Sequence, residues 1–453
     1  MLQAILLLLV AIPVTNSHTP IQLPDAPDND VVQYSGYLHV SDDRHAHYMQ
    51  VFIVFTVAES DPNSKPVVVW FASSLGYSLL HQFFFMFGPY IINTSNGSLV
   101  RNDNAWSKVT NLLFIDYPVH AGFSYGRERN ETNDVYTIRD LTYELLIQFF
   151  EEFPDFKAND LYIGGSSGTA QYAPLLALKI KENTTENQIN LRGLFIGNAL
   201  FNLVESFIDL IVQMHSLGLV DERDYQIAQR DCCNGTFDEC NFSSATDVEF
   251  CGDFISQIIS TRRESGLNMY NLIEKCKNDT EIVNVTKNND FSGSITSSAF
   301  TINHFIEKSD LECIDETPYS SYLNRVDVRQ ALNIPDNVRP WDMYRKVPYK
   351  NLMLDDIYEV VAEVVDSNLR IFLFGGDLSL TGPMLHSQRF AAKLGYERTS
   401  KMTPFFVESD RVAGHHTQYN LIEVVSILTS GQYGSGRNAE TLYALQAFLS
   451  NGN

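Results

Sequence analysis

The stretch Leu161-Tyr162-Ile163-Gly164-Gly165-Ser166-Ser167-Gly168-Thr169 indicates the fold of the whole chain. An apolar strand end runs into small residues, and an apolar helical segment with Leu175 and Ile180 follows. Gly165 and Ser167 fit the G-x-S-x-G pattern of a nucleophile elbow, in which a strand turns sharply into a helix and exposes a serine at its tip. Small residues are required because that turn is crowded. A Gly/Ser-rich turn without a catalytic serine is the alternative interpretation of the same residues.

Apolar runs and helical spacing give the order of elements around this turn. Strands are predicted at residues 34–40, 48–57, 67–71, 111–116, 160–164, 193–197, 370–374 and 405–408. Helices are predicted at residues 140–153, 322–332, 381–394 and 439–449. Strands that alternate with helices are typical of an α/β fold, with a mostly parallel sheet covered by helices on both faces.

The cysteines divide the chain into a core and an insertion. All of them lie in a polar, helical region that we assign to residues 201–315: Cys232, Cys233, Cys240, Cys251, Cys276 and Cys313. The core is then predicted in two halves, residues 18–200 and 316–453. An even number of cysteines in a secreted chain suggests disulfides, so the insertion is expected to be disulfide-stapled. Six cysteines allow many pairings, and the connectivity stays open.

The N-terminus and the glycosylation motifs indicate the secretory pathway. Residues 1–17 carry no charge and contain an apolar run too short to span a bilayer, which predicts a cleaved signal peptide. No later apolar run reaches about 18 residues, so no membrane anchor is expected. Asn-x-Ser/Thr motifs occur at Asn93, Asn96, Asn130, Asn183, Asn234, Asn241, Asn278 and Asn284. Together these features predict a secreted or lysosomal glycoprotein.

The charge of the chain restricts its partners. A formal net charge of −23 argues against nucleic acid and against anionic membranes. A peptide or protein ligand is the expected partner, and the oligomeric state is open. No cysteine spacing with nearby histidines resembles a zinc site, so neither a metal nor a cofactor is predicted.

Candidates for the rest of a catalytic triad follow the elbow in the order serine, acid, histidine. The acid is expected after a late strand, where Asp377 and Ser379 follow residues 370–374. The histidine is expected in a loop after the last strand, where His415 lies. The loop after residues 67–71 is expected to supply an oxyanion N–H through Ser74, and Gly168 is expected to supply another.

Several further segments carry a family resemblance. They are Tyr34-Ser35-Gly36-Tyr37, the stretch NLLFIDYPVHAGFSY at residues 111–125, Gly197-Asn198, and residues 322–328. From about Tyr34 to the C-terminal helix, the chain resembles the serine carboxypeptidase family. The resemblance implies an α/β-hydrolase core with a helical insertion, and release of C-terminal residues from peptides by Ser167 and His415.

The active-site segments depart from the pattern of that family. The glutamate of its G-E-S-Y elbow is Ser166 here, the carboxylate-binding asparagine is Ala72, and the glutamate before its G-P pair is Met86. Ser379 occupies the position of the catalytic aspartate, and Asp377 is the candidate substitute acid. The oxyanion loop has no cysteine, so Cys313 is expected to pair elsewhere or to stay free.

Two functions remain open at this point. The first is a secreted or lysosomal serine carboxypeptidase with impaired catalysis. The second is a non-catalytic homologue that binds a peptide or a protein. Losing the triad aspartate costs about 10⁴-fold in turnover, and losing an oxyanion donor costs about 10²–10³-fold. The substituted residues therefore predict an enzyme with little carboxypeptidase activity.

Overall fold

The computed structural model describes most of the chain with several gaps. The described residues are 19–27, 31–42, 47–126, 134–183, 189–238, 240, 245, 248–264, 266–276, 313–347, 354, 357–407 and 410–450. The predicted signal peptide lies outside them, as do the glycosylation motifs at Asn130, Asn241, Asn278 and Asn284.

A large sheet organises the molecule. Its strands are β1 Gln33–Asp42, β2 His47–Thr56, β3 Val67–Trp70, β6 Asn111–Ile115, β7 Leu161–Ser167, β8 Leu191–Ala199, β9 Arg370–Gly376, β10 Arg398–Phe406, β11 Val412–Tyr419 and β12 Ile422–Ile427. A separate hairpin pairs β4 Tyr90–Ile92 with β5 Leu99–Arg101. The strand order is β1-β2-β6-β3-β7-β8-β9-β12-β11-β10. From β6 to β12 the neighbours are parallel, and the outer pairs on both sides are antiparallel.

Helices cover both faces of the sheet. They are α1 Leu79–Gln82, α2 Val135–Glu152, α3 Thr169–Glu182, α4 Leu203–Ser216, α5 Glu222–Ile227, α6 Val248–Glu264, α7 Thr317–Leu323, α8 Val326–Ala331, α9 Tyr358–Asp366, α10 Met384–Lys393 and α11 Asn438–Ser450. One apolar core packs α2, α3, α9 and α10 against the sheet, and a second packs α1, α7, α8 and α11. The predicted α/β-hydrolase fold with a mostly parallel sheet is therefore confirmed.

The sheet edge formed by β12, β11 and β10 differs from the sequence prediction. The strand predicted at residues 405–408 belongs to the longer β10, and β11 and β12 were missed. β11 reads VAGHHTQY, and its polar residues break the apolar pattern on which the strand predictions rested. β12 is therefore the last strand. The loop that follows the last strand consists of residues 428–437 and does not contain His415.

The cysteine-rich region has its own apolar core and its own disulfides. Residues of α4, α5 and α6 form a third cluster around Phe207, Ile211 and Ile255. The disulfides are Cys232–Cys251, Cys233–Cys240 and Cys276–Cys313. The prediction that the cysteines pair among themselves is confirmed, and Cys313 pairs within the insertion. Among the described residues, no helix is both long and apolar enough to cross a membrane.

Candidate active site

The serine elbow has the local geometry that its sequence indicates. β7 ends at Ser167, whose φ of 50° is in the left-handed region that most side chains avoid. α3 begins directly afterwards at Thr169. A Cβ on Gly165 would lie 2.2 Å from Cγ2 of Thr169, so only glycine fits there. The turn therefore lifts Ser167 to the carboxyl end of the parallel strands.

A cavity of about 320 Å³ opens in front of this serine. Its lining includes Ser74, Tyr77, His81, Phe85, Ser167, Tyr319, Gln432 and Tyr433. Aromatic and aliphatic side chains make up most of the remaining wall, and Glu274 and Asp315 contribute carboxylates. Among the described residues that line it, none is a lysine or an arginine. The cavity therefore offers an apolar surface with a few polar groups and no fixed positive charge.

The oxyanion prediction is only partly compatible with the contacts of the loop. Ser74 and Gly168 both line the cavity beside Ser167. However, the N–H of Gly168 already donates to the carbonyl of Ser73, with N and O 3.2 Å apart. A ligand oxygen would have to replace that bond before it could use the Gly168 amide. The oxyanion role of Gly168 stays a prediction, and it requires that the bond to Ser73 be broken.

The loop that precedes Ser74 is fixed from below by the elbow helix. The carbonyl of Ala72 accepts hydrogen bonds from the Thr169 hydroxyl at 2.7 Å and from the Tyr172 hydroxyl at 2.9 Å. These bonds hold the loop in one position against α3.

His415 is not close to Ser167. It lies within β11, where it pairs with Pro404 of β10 and Ser426 of β12. β8, β9 and β12 separate β11 from β7, and four interstrand spacings amount to roughly 19 Å. The prediction that His415 and Ser167 face each other is therefore wrong. The histidine was assigned to a loop because β11 was not recognised as a strand.

Gln432 occupies the place expected for the histidine. It follows the last strand, lines the cavity together with Ser167, and is 5% exposed. Its backbone N–H donates to the carbonyl of Tyr270 at 2.8 Å, which anchors the loop to the insertion. Neither its carboxamide nor the Ser167 hydroxyl has a hydrogen-bond partner among the described residues. A Gly-rich segment directly before the last helix, Ser430-Gly431-Gln432-Tyr433-Gly434, was the available signal in the sequence.

Ser379, at the position of the catalytic aspartate, and the candidate acid Asp377 both serve local structure. The Ser379 hydroxyl donates to the carbonyl of Thr381 at 2.8 Å. The Asp377 carboxylate accepts from the N–H of Ser430 at 3.2 Å. Burial raises the pKa of Asp377, and hydrogen bonds from Ser430 and neighbouring amides oppose that rise. Asp377 therefore stabilises the turn that leads to Gln432, as a structural residue below the site would do.

The former carboxylate-binding positions hold neutral groups. Met86 is 2% exposed and packs in the apolar core, and Ser166 is fully buried. Next to them, the Trp70 Nε1–H donates to Gln82 Oε1 at 2.7 Å, and Gln82 Nε2 donates to the Tyr433 hydroxyl at 3.1 Å. Burial raises the pKa of the Tyr433 phenol, so this group is neutral as well.

His81 was not among the sequence candidates, although it interrupts an apolar run between Leu80 and Phe83. It is 4% exposed and lines the cavity. Its Nδ1 bonds the Tyr77 hydroxyl, whereas its Nε2 is buried without a partner. Burial lowers the pKa of His81 to about 3, so the ring is neutral at any physiological pH.

The assembled site contains a serine on an elbow and a glutamine where the fold places the base. His81 also lines the cavity, but its Nδ1 bonds Tyr77 and burial lowers its pKa to about 3, so it is a poor base. A carboxamide takes no proton near neutral pH, so Gln432 cannot act as the general base that a serine nucleophile needs. The remaining polar groups can donate and accept hydrogen bonds, and the apolar walls can bury a ligand.

Comparisons with known proteins agree with the fold. The sequence pattern of the family described as serine carboxypeptidase matches residues 24–451. The chain is 29% identical to the mouse lysosomal protective protein, over 88% of this chain and 86% of that protein. It is 27% identical to Caenorhabditis elegans serine carboxypeptidase ctsa-4.1, over 81% and 76% of the respective chains. The structure of the prohormone-processing carboxypeptidase Kex1(delta)p from Saccharomyces cerevisiae superimposes with a TM-score of 0.71 at 18% identity, covering 96% of this chain and 92% of the yeast chain.

Proposed function

The chain belongs to the serine carboxypeptidase family, and we propose that it is a member whose cleft binds a ligand without hydrolysing it. The observation that carries this proposal is that Gln432, and not a histidine, follows the last strand and lines the cavity together with Ser167. Loss of the base in a serine hydrolase lowers turnover about 10⁶-fold. The serine hydroxyl keeps its proton and remains a weak nucleophile.

The lack of an acid supports the same proposal. Ser379 is bonded to Thr381 and Asp377 to Ser430, so neither is available to a histidine introduced by itself at position 432. Two of the three triad functions are therefore missing at once, and these losses are not additive. A single compensating side chain would not restore turnover.

The recognition of a substrate carboxylate is also impaired. A carboxypeptidase must hold the charged C-terminus of its substrate, and buried carboxylates need charge partners or several donors. Positions Ala72, Met86 and Ser166 supply no charge, and the described cavity lining contains no lysine or arginine. A peptide ligand would therefore be held mainly by its side chain.

A weak serine carboxypeptidase is the second candidate, because Ser167 retains the elbow with its left-handed φ. That geometry is strained for a serine, and strain of this kind is often kept for catalysis. Activity would then need another proton acceptor near the cavity, one that acts through a bound water.

The proposed location is the secretory pathway, with the lysosome as one destination. The mouse relative carries the name lysosomal protective protein. The motifs at Asn96 and Asn234 are exposed, where an attached glycan would meet solvent. Secretion and glycosylation would both follow from the predicted signal peptide.

The proposal is tested by measuring release of C-terminal residues from N-blocked dipeptides at pH 5 and pH 7. The purified full chain is compared with its Ser167→Ala variant and with the yeast carboxypeptidase Kex1(delta)p as a positive control. We expect the wild type and Ser167→Ala to give the same background rate. A wild-type rate well above that of Ser167→Ala would establish the second candidate.

A further inference from the structure

We propose that a cluster of three arginines, Arg329, Arg339 and Arg345, binds a small ligand that carries a phosphate group. None of the three lines the cavity, so this inference is independent of the proposed function. It rests on where the three side chains lie, on how few acids are near them, and on the contacts that each guanidinium makes or lacks.

The segment that carries the cluster is basic, although the chain as a whole is strongly acidic. Residues 325–346 contain five lysines and arginines and three aspartates, whereas the net charge of the whole chain is −23. Arg325 forms ion pairs with Asp25 and Asp327, which neutralise it. The excess positive charge of the segment is therefore carried by Arg329, Arg339, Arg345 and Lys346.

Arg339 and Arg329 are held against the same loop, residues 120–123. Arg339 Nη2 donates to backbone carbonyls of this loop, and its Nη1 pairs with Asp342. The Arg329 guanidinium lies over the ring of Phe123, with Cζ 5.2 Å from the ring centroid, and donates to the carbonyl of Arg339 at 3.1 Å. Both guanidinium groups therefore have fixed positions beside each other.

Arg345 adds a positive charge that has no acidic partner among the described residues. Its backbone N–H donates to the carbonyl of Gly76 at 2.9 Å, which fixes the chain at this point. Its side chain is half-buried and makes no hydrogen bond or ion pair with the described residues, and its nitrogens are not sealed from solvent. The donors of this guanidinium are therefore available to a ligand.

The positive charges of Arg345 and Arg339 repel each other. Burial lowers the pKa of Arg339, and the charge of Arg345 lowers it further. Asp342 opposes this effect, but its side chain is 56% exposed and pairs with one nitrogen of Arg339. Asp116, the other acid nearby, is buried, and its oxygens already accept hydrogen bonds from other groups. An anion bound between the two arginines would therefore relieve a repulsion that the protein itself leaves in place.

A phosphate group matches two neighbouring guanidinium groups better than a carboxylate does. Each guanidinium presents its donors in a planar fork, and such forks bind phosphate oxygens in pairs. A phosphate monoester carries a charge of about −1.5 to −2 at pH 7, so it can face two cations, whereas a carboxylate brings a single charge. Inorganic phosphate and phosphate monoesters share this chemistry, and two probes separate them.

Binding of three anions to the full chain is measured by isothermal titration calorimetry at pH 7 and constant ionic strength: inorganic phosphate, glucose 6-phosphate and acetate. We expect at least one of the two phosphates to bind at a single site, about tenfold or more tightly than acetate. Tighter binding of glucose 6-phosphate would support the site with an ester as its ligand, and tighter binding of inorganic phosphate would support it with the free anion.

Variants at position 345 test the role of the free guanidinium. Arg345→Gln breaks no side-chain contact, and it should weaken phosphate binding about tenfold, as for one lost charge-assisted hydrogen bond. Arg345→Lys keeps the charge but loses the fork, so its affinity should lie between those of the wild type and Arg345→Gln. Arg223→Gln removes the same charge from an exposed position on α5, outside the cluster, and should leave the affinity unchanged.

Equal phosphate affinities of the wild type and Arg345→Gln would overturn the inference. An equal loss of affinity in Arg223→Gln would also overturn it, because net charge alone would then explain the binding. Acetate that binds as tightly as both phosphates, or failure of both phosphates to bind, would contradict the proposed ligand class.

Discussion

The buried carboxyl of Asp116 predicts that the protein is more stable in acid than at neutral pH. Asp116 is 1% exposed and lies beneath the loop that leads to the cavity. It accepts hydrogen bonds from the Ser78 hydroxyl at 2.8 Å and from the Leu79 N–H at 2.5 Å. Burial raises its pKa from 3.8 to about 7 despite these bonds, which lower it.

The sign of the effect follows from the raised pKa. The folded state binds the proton more tightly than the unfolded state, so the contribution to stability is complete below the unfolded pKa of 3.8 and is lost as pH rises through about 7. Between pH 5 and pH 7.5 this group should lower the free energy of unfolding by about 2 kcal/mol.

The assay is urea-induced unfolding of the wild type and Asp116→Asn at the two pH values. Asparagine has nearly the same shape but does not ionise, so the variant should lose about 2 kcal/mol of the pH dependence. Replacing the exposed Asp336 by asparagine controls for a change in net charge. If Asp116→Asn and the wild type showed the same difference between pH 5 and pH 7.5, the buried carboxyl would not be the cause.

Two more predictions concern the framework of the site. Gly165→Ala should lower the stability by about 1–3 kcal/mol, measured by thermal unfolding, because the new Cβ would overlap the Thr169 side chain. An unchanged melting temperature would show that the elbow relaxes without cost. Gln82→Leu should destabilise by about 1–3 kcal/mol in urea, since it leaves Trp70 Nε1 unpaired in the interior and removes the bond from Gln82 to the Tyr433 hydroxyl. Stability equal to that of the wild type would mean that water replaces the glutamine.

The central fold was predictable because its strands are buried on both faces. β3 and β6 are continuous apolar runs, and such runs identify the inner strands of a parallel sheet. The elbow was predictable for a different reason, since a crowded turn requires small residues at fixed offsets from Ser167. In both cases a local physical constraint determines the residue types.

The position of His415, and the presence of Gln432 in the cavity, were not predictable in the same way. β11 lies near the antiparallel edge and carries polar side chains, so nothing in its composition identifies it as a strand. His415 was then assigned to a loop by the motif around it, although its neighbours in space are Pro404 and Ser426. Gln432 and Ser167 line the same cavity because of the order of the strands in the sheet, and a pattern along the chain does not contain that order.

The hydrogen bonds of Gly168 and His81 could not be predicted from the sequence. The Gly168 amide bonds the carbonyl of Ser73, which is far away in sequence, and the sequence gives no sign of that pairing. His81 Nδ1 bonds the hydroxyl of Tyr77, which lies four residues earlier and before α1 begins, a spacing that a sequence contains but that matters only once both side chains are buried.

The most direct test of the account is covalent labelling of Ser167 by a fluorophosphonate probe, which reacts only with an activated serine. We predict no labelling of the wild type above the level of Ser167→Ala, at pH 5 or pH 7. The double variant Gln432→His with Ser379→Asp restores a base and an acid, and it should label measurably faster than the wild type. Rapid labelling of the wild type that disappears in Ser167→Ala would contradict the claim that the cleft has lost its catalytic base.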